Sequence, residues 1–295
     1  MSSNYYITYN KVENSIPIAI DTNTGKIVRL VEGKQENPEI IDPFDRIKLS
    51  KKIKGYDQKE LVQSFRHRKE PSSHLQDFYY EHKNKLEDNA GKEIIDYGAN
   101  FIVIPQPKKE SFIYLSGATG SGKTYYINQY IKQFKHIYPD RKIYVFSDVD
   151  HDPLIDEFKP IRIKIDEELV TTPLVPKDLS DSLIIMDDID SIADKKIRNS
   201  VITLYNSILK MGRHCKISML LTSHATCEGI TTKQILINSH YIVYFKGALG
   251  LPYLFKKLGL SNEQIKKLNS VNSRAICIHK NYPSYFISQN TVTLL

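Results

Sequence analysis

The stretch Phe112-Ile-Tyr-Leu-Ser-Gly-Ala-Thr-Gly-Ser-Gly-Lys-Thr124 limits what this chain can fold into more than any other. An apolar strand runs into a glycine-rich turn, and residues 125–134 continue as a helix. The turn fits G-x-x-x-x-G-K-[ST] through Gly117, Gly122, Lys123 and Thr124, the pattern of a phosphate-binding P-loop. Glycines let the backbone curl so that several N–H groups face one anion, and the helix that follows adds the positive end of its dipole. Lys123 is placed to reach the β- and γ-phosphates, and the Thr124 hydroxyl to ligate Mg²⁺. The expected triphosphate-binding run is Gly117, Ala118, Thr119, Gly120, Ser121, Gly122, Lys123, Thr124 and Tyr125.

Length and composition set the outer bounds. A chain of 295 residues can bury one large core or two modest ones, with a charged fraction of 25% that is ordinary for a globular protein. A net charge of +7 leans toward a polyanionic partner. Cys215, Cys227 and Cys277 are far apart and form no C-x-x-C pair, so neither a zinc site nor a disulfide framework is expected. No run approaches the ~20 apolar residues of a membrane span, and the first residues show neither a signal-peptide core nor a myristoylation glycine. The expected location is the cytosol.

Two regions differ in pattern. Residues 1–100 are expected to form a smaller α+β segment. It has short strands at 5–9, 16–20 and 26–31 around the turn Asp21-Thr-Asn-Thr-Gly25, a loop at 38–43, and a helix over 73–88. Between them Arg46, Lys48, Lys51, Lys52, Lys54, Arg66, Arg68 and Lys69 make a basic stretch, read either as a solvated face or as a phosphate-backbone contact. From residue 101 to 295 strands and helices alternate, which implies an α/β domain with a mostly parallel sheet. Strands are expected at 101–104, 111–116, 142–147, 162–165, 182–186, 216–222 and 241–245. A helix is expected over 194–211 with Gly212 as its C-cap, and capping boxes at Thr231–Gln234 and Ser261–Gln264. A hairpin of 275–279 and 285–288 closes the chain.

Three further stretches carry chemistry. The apolar strand Leu183-Ile-Ile-Met ends in Asp187-Asp188, the Walker B arrangement. Asp187 is expected to hold Mg²⁺, mostly through its waters, and Asp188 to orient or deprotonate the attacking water. Asp190 is a weaker substitute for that base and reads better as a helix N-cap. The next strand ends in Thr222-Ser223-His224, polar groups that could contact the γ-phosphate. Gly212-Arg213-His214 precedes that strand; Arg213 reads either as a cation at a helix C-terminus or as an arginine finger acting on a neighbouring subunit. Arg198 and Arg274 compete for the finger role.

In order, the P-loop at 117–124, the run at 183–188 and the stretch 212–224 look like those of the DNA-packaging ATPases of large double-stranded DNA viruses and virophages, a branch of the FtsK/HerA superfamily. Gly-Arg-His ahead of an apolar strand that ends in Thr-Ser-His is the most telling piece. The resemblance covers roughly residues 100–280. It implies a RecA-like P-loop fold of the ASCE type, in which the strand ending at Thr222 lies between the P-loop strand and the Walker B strand. It also implies a ring of identical subunits around double-stranded DNA, ATP and Mg²⁺ as cofactors, capsid or portal partners, and a site in the cytoplasmic viral factory or the virion. His224 stands where FtsK-like members usually carry Gln, and Asp188 replaces the Glu of many bacterial members. The roles implied are Lys123 on phosphate, Asp188 on water, Ser223 and His224 as sensors, and Arg213 in trans. An AAA+ remodelling ATPase and a nucleoside or nucleotide kinase are the rival readings; Arg274 could pass for an AAA+ second sensor, or simply open the last hairpin.

Overall fold

The computed structural model describes residues 5–33, 57, 60–61, 63–64, 70–80, 91–96, 98–106, 108–224, 229–248 and 250–295. The expected loop at 38–43, the basic positions from Arg46 to Lys69 and residues 81–88 of the expected helix lie outside them. The N-terminal hundred residues supply β1 (Tyr5–Thr8), β2 (Ile16–Asp21), β3 (Ile27–Glu32) and β4 (Glu93–Ile95). Then follow β5 (Phe101–Val103), β6 (Phe112–Ser116), β7 (Lys142–Phe146), β8 (Ile161–Ile163), β9 (Ser182–Met186), β10 (Ile217–Ser223) and β11 (Tyr241–Phe245). Three more strands, β12 (Ala275–His279), β13 (Tyr285–Ser288) and β14 (Thr291–Leu294), complete the chain.

The large sheet runs β4-β14-β13-β12-β11-β6-β10-β9-β7-β8. From β11 to β8 every pairing is parallel, and the remainder is antiparallel. The expected order is present: β10 pairs with β6 on one side, Thr222 opposite Leu115, and with β9 on the other, Leu221 opposite Met186. Parallel strands covered on both faces need continuous apolar runs, and Leu183, Ile184, Ile185 and Met186 are each fully buried. Alternate residues face opposite sides. Ile113 and Leu115 of β6 enter one core and Phe112 and Tyr114 the other.

The small sheet, β1-β3-β2-β5, is antiparallel. Its Ile18, Val28 and Leu30 share a core with Tyr126, Ile127 and Ile131 of the P-loop helix α1 (Lys123–Ile137), so it packs on the α1 side of the large sheet. The strand expected at 101–104 forms, but as β5 it pairs with β2 rather than leading into the large sheet. β4 instead extends the large sheet at β14, so the two sheets exchange strands across residue 100.

On the other face lies α4 (Lys195–Met211), which buries Val201, Leu204, Tyr205, Ile208 and Leu209. Two short helices, α2 (Pro153–Asp156) and α3 (Glu168–Thr171), precede it. Asp194 caps α4 by accepting the N–H groups of Lys196 and Ile197. Gly212 stands at its end with φ −57°, so left-handed freedom is not what the position needs. A Cβ there would lie 2.6 Å from the Ile208 carbonyl and 3.0 Å from Phe112, so the requirement is space. Thr231 does not open a helix as expected, because α5 (Gly229–Asn238) has already begun. After α6 (Leu251–Lys257), Ser261 and Gln264 form the expected capping box of α7 (Asn262–Ser270). Among the described residues, no helix is long and apolar enough to cross a membrane.

Candidate active site

The P-loop joins β6 to α1 at the end where the parallel strands finish. Gly122 caps α1 with φ +110°, a backbone that an L side chain rarely adopts. At Gly117 the constraint is steric: a Cβ would lie 2.6 Å from Ser121 Oγ and 2.9 Å from the Phe245 ring. Phe245, at the tip of β11, thus backs the loop. The Gly117 N–H donates to the Ser223 carbonyl at 3.1 Å, tying the loop to the tip of β10. Thr124 is half-buried on the first turn of α1, and Tyr125 beside it is 55% exposed.

Three strand tips bring the remaining groups to this loop. Lys123 is buried, and its ammonium donates to the Gly117 carbonyl at 2.8 Å. It also lies 3.2 Å from Asp188 Oδ1 and 3.3 Å from His224 Nδ1. His224 Nε2 is 3.0 Å from Asp188 Oδ2. An ammonium can only donate, so Nδ1 accepts and the proton on Nε2 points to the carboxylate. Thr222 Oγ1 lies 2.8 Å from Asp187 Oδ1 and 3.0 Å from Asp188 Oδ1, and it accepts the Asp188 N–H at 2.8 Å. Asp188 has φ 44°, a left-handed backbone that costs a non-glycine residue roughly 1–2 kcal/mol. That turn lets consecutive carboxylates share one hydroxyl.

Asp187 differs from Asp188 in its surroundings. Burial pushes its pKa up, and Asp188 adds to the rise, while the Thr222 hydroxyl, Lys123 and Ser147 oppose it without cancelling it. Ser147 Oγ, just beyond the end of β7, donates to Asp187 Oδ2 at 3.4 Å. Among the described residues no cation pairs with Asp187. A half-buried carboxylate whose hydrogen bonds come from hydroxyls, with a second carboxylate beside it, suits a hard cation that prefers oxygen ligands and keeps its waters, so the residues fit Mg²⁺.

The three arginines separate clearly. Arg213 lies at the opposite end of β10, its Nη2 2.6 Å from His240 Nε2, and does not touch its own phosphate site. Arg198 Nη1 donates to the Ile192 carbonyl at 3.2 Å. Arg274 does more than open the hairpin, because its Nη2 donates to the Gly120 carbonyl of the P-loop at 2.6 Å. Its placement follows from pairing: β12 is antiparallel to β11, so β12 must start where β11 ends, at the phosphate end of the sheet. Phe245 carries no local signal in the sequence, and Arg274, a candidate finger or second sensor there, carries none for this contact with the loop. The side chain of Asp190 lies outside the described residues.

A glycine loop with a buried lysine, paired carboxylates two strands away and a polar strand tip between them define a P-loop ATPase of the ASCE type. No protein-family model matches the chain. Protein V3 of the Sputnik virophage, itself uncharacterized, is 34% identical over 212 residues, covering 70% of this chain and 86% of V3. The chain belongs to the family of that virophage protein. Solved structures with a similar course include the genome packaging NTPase B204 of Sulfolobus turreted icosahedral virus 2 in complex with AMP. It is 14% identical with a TM-score of 0.40, over 58% of this chain and 94% of that one. The cytoplasmic domain of the type VII secretion ATPase EccC of Thermomonospora curvata is 14% identical at TM-score 0.46, over 68% of this chain and 28% of its own. The pCW3 conjugation coupling protein TcpA is 13% identical at 0.43, over 68% and 64%. At these scores none of them transfers a residue role.

Proposed function

We propose that this chain is an ATP-driven motor that translocates double-stranded DNA and packages a viral genome into its capsid. The observation that carries the reading is the convergence of Lys123, Asp187, Asp188, Thr222 and His224 at the tips of β9 and β10 against the P-loop. In this reading the amides of residues 117–125 and Lys123 bind the phosphates, and Thr124 and Asp187 hold Mg²⁺. When bound, Mg²⁺ neutralises charge on the β- and γ-phosphate oxygens. Asp188 orients the attacking water and takes its proton, and the His224 imidazole, already bonded to Asp188, holds that carboxylate in place. Ser223 couples the γ-phosphate to the loop, since its carbonyl is bonded to Gly117. Arg213 completes the site of a neighbouring subunit in a homo-oligomeric ring. Capsid or portal proteins are the further partners, in the cytoplasmic factory of an infected cell or in the virion.

The DNA half of the proposal is supported by the net charge of +7 and by the resemblance of the motifs to those of DNA-packaging ATPases. It is tested by ATP turnover with and without duplex DNA over a series of salt concentrations. The expected result is stimulation that falls steeply as salt rises, because bound phosphates release counterions. Indifference to duplex DNA would remove the translocation reading. Transfer of phosphate to an added nucleoside would make the protein a kinase.

A further inference from the structure

Beside the P-loop lies a cavity of about 390 Å³ that the phosphate site leaves open. Ligand pockets generally measure about 300–1,000 Å³, so a nucleoside fits. Ser121 and Gly122 line it, so a chain of phosphates lying on the loop leads into it. Tyr125 and Gln129 of α1 form one side, and Arg274 and Gln289 beside β12 and β13 another. The third side comes from outside the ATPase core, from Asn23 in the β2–β3 turn and Asn100 just before β5.

That third side is built to be rigid. Asp21 is 1% exposed, and its Oδ1 accepts the backbone N–H of Asn23 at 3.0 Å and of Asn100 at 2.7 Å. Its Oδ2 accepts the Thr24 hydroxyl. The side chains are held as well: Asn23 Nδ2 donates to the Gly98 carbonyl at 2.9 Å, and Asn100 Nδ2 donates to Thr22 Oγ1 at 2.7 Å. Each amide keeps a second N–H and a carbonyl oxygen.

We infer that this cavity receives the base of the triphosphate and that the small N-terminal sheet gives the site its preference for adenine. The inference rests on the reading of the P-loop as a triphosphate site. Tyr125 offers an accessible ring face for stacking. Asn23, Asn100, Gln129 and Gln289 line one space, and a carboxamide pairs its donor and acceptor with the acceptor and donor edge of adenine. Guanine presents two adjacent acceptors on the corresponding edge, which suit an arginine. The arginine here, Arg274, gives Nη2 to the Gly120 carbonyl, so four carboxamide residues line the space beside one partly committed guanidinium.

The test measures equilibrium binding of ATP, GTP and inorganic tripolyphosphate to the full chain. Wild type is compared with the Asn23→Ala/Gln289→Ala double variant and with Asn23→Asp, which keeps the side chain's size but loses its N–H donors. We expect wild type to bind ATP at least about tenfold tighter than GTP, and both variants to lose most of that ratio through weaker ATP binding. Tripolyphosphate affinity should stay within about twofold in all three proteins, since it has no base to be read. An ATP preference that survives in both variants overturns the inference, and so does a loss of tripolyphosphate binding in step with ATP. A wild type that binds tripolyphosphate but takes ATP and GTP equally overturns the base reading alone. A wild type that binds none of the three overturns the phosphate-site reading with it.

Discussion

The Lys123 ammonium has three N–H donors, and the Gly117 carbonyl, Asp188 and His224 take them. In the function proposed, a γ-phosphate bound by Lys123 displaces one of these partners, and displacing Asp188 frees its carboxylate to face water. Asp188→Asn keeps the shape and the Thr222 contacts but cannot accept a proton. It should lower kcat by roughly 10²–10⁴ while ATP binding persists. Steady-state phosphate release and equilibrium binding, measured on one preparation, check this; a kcat within a factor of about three of wild type would remove Asp188 from the chemistry. Asp187 calls for a different experiment. Burial lifts its folded pKa above the ordinary value of about 3.9, so its charge opposes folding at every pH above the folded pKa. That cost is gone below about 3.9, where the carboxyl is protonated both folded and unfolded. Nucleotide-free and metal-free Asp187→Asn should therefore melt above wild type at neutral pH, with the gap closing as the pH falls toward 3.9. Equal melting temperatures at pH 7 would contradict the burial argument. The type and place of both carboxylates were legible in the chain, because an apolar run ending in Asp-Asp can do little else. The single hydroxyl between them was not legible as a bridge, since Thr222 reaches Asp187 only through the pairing of β10 with β9.

At the scale of elements, β10 is the member that makes the site cooperative. It lies between the loop strand and the carboxylate strand, and its tip is bonded to both: Thr222 to Asp187 and Asp188, Ser223 to Gly117. These bonds give a change on the phosphate side a path to the strand that holds the carboxylates. Thr222→Val is nearly isosteric and removes the donor and the acceptor together, leaving the Asp188 N–H and two carboxylate oxygens short of a partner. The expected cost is about 1–3 kcal/mol in unfolding free energy, with kcat falling more than KM rises. Denaturant unfolding and steady-state kinetics check it, and an unchanged kcat would mean that the bridge is only structural. Most strand positions along the chain were readable from apolar runs and turn residues, and β11, β12 and β13 fall where the pattern puts them, whereas β4 and β14 were not expected and the last hairpin gains β14 as a third strand. The destinations of β4 and β5 were not readable. Short strands of such composition pair with whichever edge is open, and the pattern of a three-residue strand holds no record of which edge that is. The contact of Arg274 with the loop was not legible for the same reason, since its neighbour Gly120 is 154 residues away in the chain.

For the whole molecule the question is how one end of the sheet serves the other. β10 has seven residues, so at about 3.3 Å per residue Arg213 sits roughly 20 Å from the phosphate end of its own subunit. No side-chain rearrangement bridges that distance, so any triphosphate Arg213 serves belongs to another copy. Its local contact also leaves it available. His240 Nδ1 accepts the Phe112 N–H at 3.0 Å, and burial first, then Arg213, push the ring's pKa down to about 4. A neutral ring that accepts at Nδ1 carries its proton on Nε2, so Arg213 meets a donor rather than an acceptor. Among the described residues no carboxylate holds it. An Arg213→Ala chain should keep its own loop intact yet fail as a homo-oligomer, and a Lys123→Ala chain should fail for the opposite reason. Mixed before assembly, the two should recover part of the wild-type ATP turnover, because some interfaces then join an intact loop to an intact Arg213. An arginine finger contributes about 10³–10⁵ in rate, so even a minority of such interfaces stands well above either parent. Assembly is followed by light scattering in the same samples. Mixed assemblies of the same size as wild type, with no more turnover than the parents, would confine Arg213 to the end of its own helix.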